Sequence, residues 1–280
     1  MDAKFAPFSL RLGKFDSEFS LASQYLDGRL ATDLVGGIDT DERLGASLSF
    51  EFEALGLDHI LSASAFTTDR TVFSRSLFTD RGQTRLSDGG AGNTDGVSSL
   101  SMMLDGCSGK ATDECYSDGD FGYRLGARYQ KAGHASEDQL AEGITPRDEW
   151  AYVAALTWRR DLGDEAVLRF LGELDFINHF ETGPDDAILA TIAAQYEWDA
   201  WKLDASYTLQ TDLIKAAPNS HEHLIDLTVA FDFDEDMSLA GETWTVSAGY
   251  SYAKAAEEAA HLVGITISAE LNGSMPLNQR

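Results

Sequence analysis

Residues 201–210 read Trp-Lys-Leu-Asp-Ala-Ser-Tyr-Thr-Leu-Gln. In this stretch the odd-numbered residues are apolar, and the even-numbered residues carry a charge or a hydrogen-bonding group. A period of two places successive side chains on opposite faces of a β-sheet. The stretch therefore predicts a β-strand with one apolar face and one polar face.

The same alternation recurs along most of the chain, and a helical period fits almost none of it. The clear segments are 43–53, 121–131, 201–210, 225–233, 244–252 and 263–271, and the less regular ones are 4–15, 59–68, 97–105, 148–159, 166–178 and 187–198. Only Lys254–Ala260 has a helix-like composition. These segments predict an all-β, antiparallel up-and-down barrel of about 12 strands. A weak strand pair inside 16–42 would give 14, and a truncated N-terminus would leave part of a 16-strand barrel.

The connections between the predicted strands differ in length in a regular way. Short connections (54–58, 160–165, 198–201 and 234–243) roughly alternate with longer polar ones (16–42, 69–96, 132–147, 179–186, 211–224 and 253–262), with 106–120 as the main exception. Short periplasmic turns that alternate with longer external loops are typical of a membrane barrel. No linker or repeat interrupts the pattern, so residues 1–280 are predicted to form one barrel domain with long external loops near 16–42, 69–96 and 132–147.

A soluble β-sandwich also alternates, and three features favour lipid over a dry core. The polar faces often carry formal charges, many predicted strands reach nine residues or more, and aromatic residues cluster near strand ends. Transmembrane strands need about 9–11 residues, and aromatic girdles mark both membrane interfaces. No run of 18 apolar residues exists, which excludes a transmembrane helix.

The chain is strongly acidic, with 47 acidic and 21 basic residues and a net charge of -26. A nucleic-acid partner is therefore not expected, because phosphate binding needs a basic surface. The acidity fits three interpretations: solubility, divalent-cation binding, or a cation preference in a pore.

The polar faces supply the candidate pore-lining residues. They are Arg11, Glu51, Arg124, Arg128, Arg169, Glu173, Asp175, Asp204 and Asp226. Opposed rows of charge would select solutes in a narrow pore, or the charges would pair with one another and plug the interior. Both outcomes stay open.

The connection 69–96 combines aromatic and basic residues. Phe73, Arg75, Phe78 and Arg81 are its candidates for a loop that folds into the barrel mouth and constricts it. The alternative is an exposed loop that contacts lipopolysaccharide or a neighbouring molecule.

Other candidate sites are weaker. Cys107 and Cys115 would form a local disulfide in an exported protein, and two reduced thiols are the alternative. Alternating carboxylates in 232–236 and an acidic turn in 113–120 could bind Ca²⁺ weakly, but neither segment matches an EF-hand, so no cofactor is expected. His221 and His223 share a strand face without a third ligand, so no metal site is predicted. No GxSxG motif appears and the remaining histidines are scattered, so an enzyme is not expected.

Several segments resemble porin-like outer-membrane β-barrels of Gram-negative bacteria. They are Leu12-Gly-Lys-Phe15, the stretch Asp41-Glu-Arg-Leu-Gly-Ala-Ser-Leu-Ser-Phe50, and the loop from Ser76-Leu-Phe-Thr-Asp-Arg81 to Ser87-Asp-Gly-Gly90. The resemblance implies an outer-membrane location and diffusion of small solutes. One departure is that the chain continues past Leu271 to Arg280, whereas such barrels usually end in an aromatic residue.

Three functions therefore compete. The first is a porin-like channel for small hydrophilic solutes or ions, surrounded by outer-membrane lipid and lipopolysaccharide, with a homo-oligomer as an open alternative. The second is a plugged structural barrel whose external loops bind a partner. The third is a soluble, secreted all-β binding domain.

Overall fold

The structure, a computed structural model, describes residues 2–17, 19–26, 34, 38, 40–74, 82–108, 120–163, 166–215, 218–233, 243–255 and 258–270. Within these residues, 13 strands form one sheet in which each strand is hydrogen-bonded to its neighbours in sequence. All pairs are antiparallel. The predicted all-β, up-and-down antiparallel fold is confirmed.

The strands are β1 (Asp2–Phe5), β2 (Phe8–Ser17), β3 (Thr40–Ala54), β4 (Leu57–Thr68), β5 (Ser99–Cys107), β6 (Phe121–Gln130), β7 (Glu149–Asp161), β8 (Ala166–Asn178), β9 (Asp186–Trp198), β10 (Trp201–Leu213), β11 (Ser220–Phe233), β12 (Thr243–Ala255) and β13 (Glu258–Glu270). Two short helices, α1 (Leu21–Tyr25) and α2 (Glu137–Glu142), and 3-10 turns at Val72–Ser74, Leu86–Asp88 and Phe180–Thr182 lie between strands. No helix among the described residues is long and apolar enough to cross a bilayer.

The strand count differs from the predicted 12 because the segment 4–15 is divided. The chain turns at Ala6 and Pro7, so that β1 pairs with the start of β2. Proline has no backbone N–H and cannot donate to a central ladder, which favours a turn at this position. The turn shifts the outward positions from odd-numbered (Phe5) to even-numbered (Phe8), but a strand of four residues is too short for the alternation to reveal this shift.

The helix-like assignment of Lys254–Ala260 is wrong. β12 continues to Ala255 and β13 begins at Glu258, with Tyr252 opposite His261 in the ladder. Ladder hydrogen bonds to a neighbouring strand outweigh the helix propensity of alanine and glutamate, which is a weak preference. The connection predicted at 253–262 therefore shrinks to residues 256 and 257, and the alternation of short and long connections fails here.

The hairpin between β3 and β4 shows how a short connection forms. Leu55 and Gly56 have φ values of 55° and 75°. A two-residue turn with both φ values positive is the type I′ turn that matches the twist of antiparallel strands. Leu55 is 99% exposed, as expected for the tip of a turn.

Apolar side chains cover the outer face of the sheet. Mid-strand residues such as Leu156, Leu174 and Leu227 are 50–57% exposed, while the residues beside them on the inner face are buried. Trp150 and Trp158 lie near the two ends of β7 on this face. A soluble protein would bury such a belt, whereas a barrel in lipid exposes it.

The sheet curls around residues that follow β2. Residues of α1 contact β8, although β2 and β8 lie six strands apart in the sheet. β1 and β13 are the two edges, and no ladder joins them within the described residues. The interior described next is enclosed by this curvature.

Candidate pore and its inserted segment

All nine predicted pore-lining residues lie on the inner face of the sheet, but they do not form one open ring. Arg11 and Glu51 line an open cavity. Arg128, Glu173, Asp175 and Asp226 are buried, each at most 4% exposed. Arg124, Arg169 and Asp204 are bonded to neighbours on the wall.

The chain between β2 and β3 enters the interior. We call its described residues (19–26, 34 and 38) the inserted segment. Phe19, Leu26 and Ile38 are at most 1% exposed. Glu173, which contacts the segment, lies five residues from the end of β8, or roughly 17 Å along the strand at about 3.3 Å per residue. The segment therefore reaches the middle of the barrel.

Glu173 holds the deepest part of the inserted segment. Its carboxylate accepts hydrogen bonds from the Ser20 hydroxyl at 2.5 Å and from the backbone amides of Leu21 and Ala22 at 2.7 and 3.0 Å. These amides belong to the first turn of α1, where N–H groups have no partner within the helix. Arg124 donates to the carbonyl of Ser20 at 3.4 Å and to Asp105 at 2.7 Å. Arg124 on β6 and Glu173 on β8 thus both bind the inserted segment at Ser20.

Arg128 holds both ends of the inserted segment near the rim. Its guanidinium donates to the carbonyl of Ile38 and lies 4.7 Å from the centre of the Phe19 ring. It also pairs with Glu149 at 3.2 Å, and both side chains are at most 7% exposed. A buried arginine needs such a set of partners, since an unpaired charge away from water is costly.

Apolar residues on the inner face complete the docking surface. Phe19 and Ile38 pack against Met103, Ala151, Val153, Ile177, Ala187 and Leu189, and Leu21, Ala22 and Leu26 pack against Ala155, Leu171 and Ala193. These wall residues interrupt the polar inner faces of β5, β7, β8 and β9. The expectation of a uniformly hydrophilic interior is therefore wrong for this part of the wall.

A polar cavity of about 410 Å³ remains beside the inserted segment. Its wall comes from β1 to β6, and Gln24 of α1 faces it. Seven serines line it: Ser9, Ser17, Ser47, Ser49, Ser62, Ser64 and Ser101. Hydroxyl pairs connect adjacent strands, with Ser49–Ser62 and Ser47–Ser64 both at 2.9 Å. Sequence analysis did not single out these serines, although their alternation on β3 and β4 placed them on one face.

Charges around this cavity balance. Lys4, Arg11 and Arg124 oppose Asp16, Glu51 and Asp105. The large negative charge of the chain is therefore not concentrated here.

On the inner face of β8 to β10, polar side chains are bonded to one another. Arg169 donates to Gln195 at 2.9 Å and pairs with Glu197 at 2.7 Å, and Gln195 donates to Asp204 at 2.8 Å. Charges that were expected to oppose one another across a pore instead pair along neighbouring strands in this part of the wall.

The predicted constriction residues cannot be placed. Arg75, Phe78, Arg81 and the side chain of Phe73 lie outside the described residues. The described remainder of this connection packs at the rim, where Ala91 bridges to Ala132. The segment that enters the interior is the preceding long connection.

Asp148 fixes the rim between β6 and β7. Its carboxylate accepts from the Tyr129 hydroxyl at 2.6 Å and from the Ala132 amide at 2.9 Å. The tyrosine hydrogen bond in particular holds the pKa of Asp148 below its ordinary value, against the opposing effect of burial.

The other candidate sites are only partly described. Cys107 is disulfide-bonded, and Cys115 lies outside the described residues. Most carboxylates of the two calcium candidates also lie outside them, while Asp232 pairs with Lys202 at 3.0 Å. No cluster of three or more metal-ligating side chains occurs in the described part of the chain.

Comparisons with known proteins agree with this architecture. Outer-membrane expressed OmpT of Vibrio cholerae matches with a TM-score of 0.51 and 12% identity, over 94% of this chain and 76% of that one. The in-vitro folded, trimer form of this outer membrane protein matches with a TM-score of 0.51 and 12% identity, over 95% and 78%. A third structure, in-vitro folded OmpT, has a TM-score of 0.46 and 12% identity over 89% of this chain.

The chain spans 66% of the length of that third structure. No protein-family model and no curated protein matches the sequence. The antiparallel sheet, the apolar outer belt and the structural matches together show that this chain has the fold of an outer-membrane β-barrel.

Proposed function

We propose that this chain is a porin-like channel in the outer membrane of a Gram-negative bacterium, through which small hydrophilic solutes diffuse. The observation that carries the proposal is the polar cavity of about 410 Å³ left between the inserted segment and the inner faces of β1 to β6. The inserted segment narrows the barrel, and the cavity is the route that remains.

The outer face supports the proposed location. A belt of half-exposed leucine, isoleucine and aromatic side chains surrounds the sheet, and its exposure would be unfavourable in water. Lipid removes this penalty, because acyl chains are as apolar as the belt. We place the long connections on the external side, as in other membrane barrels.

The cavity wall supports a preference for neutral or weakly charged solutes. Three basic and three acidic side chains balance, so no strong field selects one sign of ion. The serine hydroxyls donate and accept hydrogen bonds, and so can replace part of the hydration shell of a polyhydroxylated solute.

A plugged structural barrel is the second candidate. It is favoured by the buried contacts of Glu173 and Arg128, which fix the inserted segment in the middle of the interior. In that case the cavity would end blind against the segment.

Two proteins distinguish the candidates: the full chain, and a variant in which residues 20–37 are replaced by a short Gly-Ser linker. Both are reconstituted in planar bilayers and in liposomes that contain a sugar as osmolyte, after heat-modifiable migration on a gel has shown that they fold. The channel predicts conductance and swelling for the full chain, and larger values for the variant. Conductance of the variant alone would establish the plugged barrel, and no conductance from either protein would refute the channel.

The serine wall has its own test. Replacing Ser47, Ser49, Ser62 and Ser64 together by alanine should slow sugar entry more than it lowers ionic conductance. Ser251→Ala is the matched control, because Ser251 is a buried serine of β12 outside the cavity lining. Equal losses for sugar and ions would contradict a role for the hydroxyls in solute preference.

A further inference from the structure

The outer face of β10 to β13 carries basic groups at one end only. Within the described residues of this face, the charged and histidine side chains are His221, His223, Lys254 and His261, which we call the basic rim. All four lie within four residues of a strand end at the side of the long connections. The rest of this face is apolar, aromatic or hydroxylated.

The three histidine rings are fixed in the same way. In each ring Nδ1 is hydrogen-bonded to a hydroxyl on the neighbouring strand: His221 to Thr211 at 3.0 Å, His223 to Tyr207 at 2.9 Å and His261 to Tyr250 at 2.8 Å. The second nitrogen, Nε2, is on the opposite side of the ring. A repeated use of one nitrogen orients the rings and keeps the other nitrogen for a further partner.

Lys254 stands next to these rings. It lies opposite His223 in the ladder between β11 and β12, and Tyr252 on the same face packs against His261 with ring centres 5.1 Å apart. Tyrosines at this level match the aromatic girdle at a membrane interface. The basic groups therefore lie at the height of lipid headgroups.

No carboxylate shares this face among the described residues of β10 to β13. Asp212 and Glu222 project to the inner side, where they line a separate cavity at the rim. Lys14 provides the contrast at the same rim of the barrel, because it is paired with Glu42 at 3.1 Å and Asp69 at 3.3 Å. The basic rim thus combines one lysine and three histidines, with no carboxylate among the described residues of this face, on the outside of a chain whose net charge is -26.

Lipid headgroups can reach these residues. The strands are joined here only by residues 214–219 and 256–257, whereas residues 69–98 connect β4 to β5 on the same side of the barrel. Among the basic rim residues, His221, Lys254 and His261 are exposed and His223 is partly exposed.

We propose that the basic rim binds the phosphate groups of a phosphorylated glycolipid in the outer leaflet. Lys254 supplies a positive charge, and each histidine offers the ring nitrogen Nε2, which its bond to a hydroxyl leaves on the opposite side of the ring, as an N–H donor. Thr211, Tyr207, Tyr250 and Tyr252 are the groups that face the histidines from neighbouring strands, and none of them is acidic. The proposal rests on the proposed membrane location but not on channel activity.

The test uses the full chain in lipid nanodiscs that contain 5% lipid A, a diphosphorylated glycolipid, or the same lipid after removal of its phosphates. Native mass spectrometry counts the bound glycolipid. The wild type should prefer the phosphorylated form. Lys254→Met should lower the preference about fivefold, the effect of one charge near an anionic lipid surface. The triple variant His221→Gln/His223→Gln/His261→Gln should also lower the preference, because the oriented ring N–H donors are lost.

Two matched controls separate this site from general effects. Lys14→Met removes an outward lysine at the same rim that already has acidic partners, and His59→Gln removes an outward histidine near the opposite rim. Both should keep the wild-type preference. The proposal is overturned if the wild type shows no preference, if Lys14→Met loses as much as Lys254→Met, or if phosphatidylglycerol is retained as strongly as lipid A. A full preference with no conductance would refute the channel and leave this proposal standing.

Discussion

Replacing Glu173 by alanine should free the inserted segment from the middle of the barrel. The substitution removes three hydrogen bonds to a buried carboxyl group, from Ser20, Leu21 and Ala22. At about 1.5 kcal/mol each, the upper end of the usual net value of a hydrogen bond, the loss is about 4.5 kcal/mol. The variant no longer has to bury a carboxyl group, so this figure is an upper bound. Since 1.4 kcal/mol is a factor of ten, the docked state would weaken by up to about 1,600-fold.

Two measurements should report this change. The first is single-channel conductance in planar bilayers, which should rise and become noisier. The second is labelling of an introduced thiol in Ala22→Cys by a water-soluble maleimide, since Ala22 is 0% exposed when the segment is docked. Glu53→Ala is the matched control, because it removes an inner-face carboxylate that lies outside the cavity lining. The reasoning would be refuted if Glu173→Ala left both the labelling rate of the thiol at position 22 and the single-channel conductance unchanged.

Three further results are expected. Acid should loosen the loop that Asp148 holds. The hydrogen bond from Tyr129 lowers the pKa of this carboxyl group in the folded protein, so Asp148 stabilises the fold at any pH above about 4, the ordinary pKa of an aspartate. This stabilisation is lost as the pH falls through the lower pKa of the folded state. Limited proteolysis from pH 6 to pH 3 should detect the loosened loop, and the Asp148→Asn variant should be cleaved readily at every pH. Gly45→Ala should prevent normal assembly, because the added carbon would lie 2.1 Å from a backbone oxygen of the next strand. Gly172→Ala is the control: the added carbon meets open space, so this variant should fold normally. Heat-modifiable migration on a gel distinguishes the two outcomes. Arg128→Met should lower stability in urea by about 3–5 kcal/mol, because a buried carboxylate loses its partner; an unchanged midpoint would contradict this account.

Strand positions could be predicted from sequence because a membrane barrel repeats one local rule. In β10 the odd-numbered residues face outward and the even-numbered ones inward, as the stretch 201–210 indicates. The rule was misapplied at Pro7 and at 256–257, where a two-residue turn shifts the outward positions from odd to even (Phe5 to Phe8) or from even to odd (Tyr252 to His261). This shift of phase is a local signal, but β1 is too short to show a clear alternation, and the alanine and glutamate residues of 254–260 obscure it in β12 and β13.

The inserted segment could not be predicted from the same rule. Its contacts join residues separated by about 150 positions, and α1 is too short to show a period. One signal was nevertheless present. Val153, Leu171 and Leu189 are large apolar residues on inner faces that also carry charged side chains, and an apolar patch inside a barrel indicates that something packs on it.

The late position of Glu173 has a consequence for how the molecule is made. Ser20 is synthesised long before β8, and the separation of 153 residues gives this contact a very high contact order. We therefore expect the inner faces of β7 to β9 to assemble before Ser20 binds to Glu173, and their apolar side chains to stay hydrated until that contact forms.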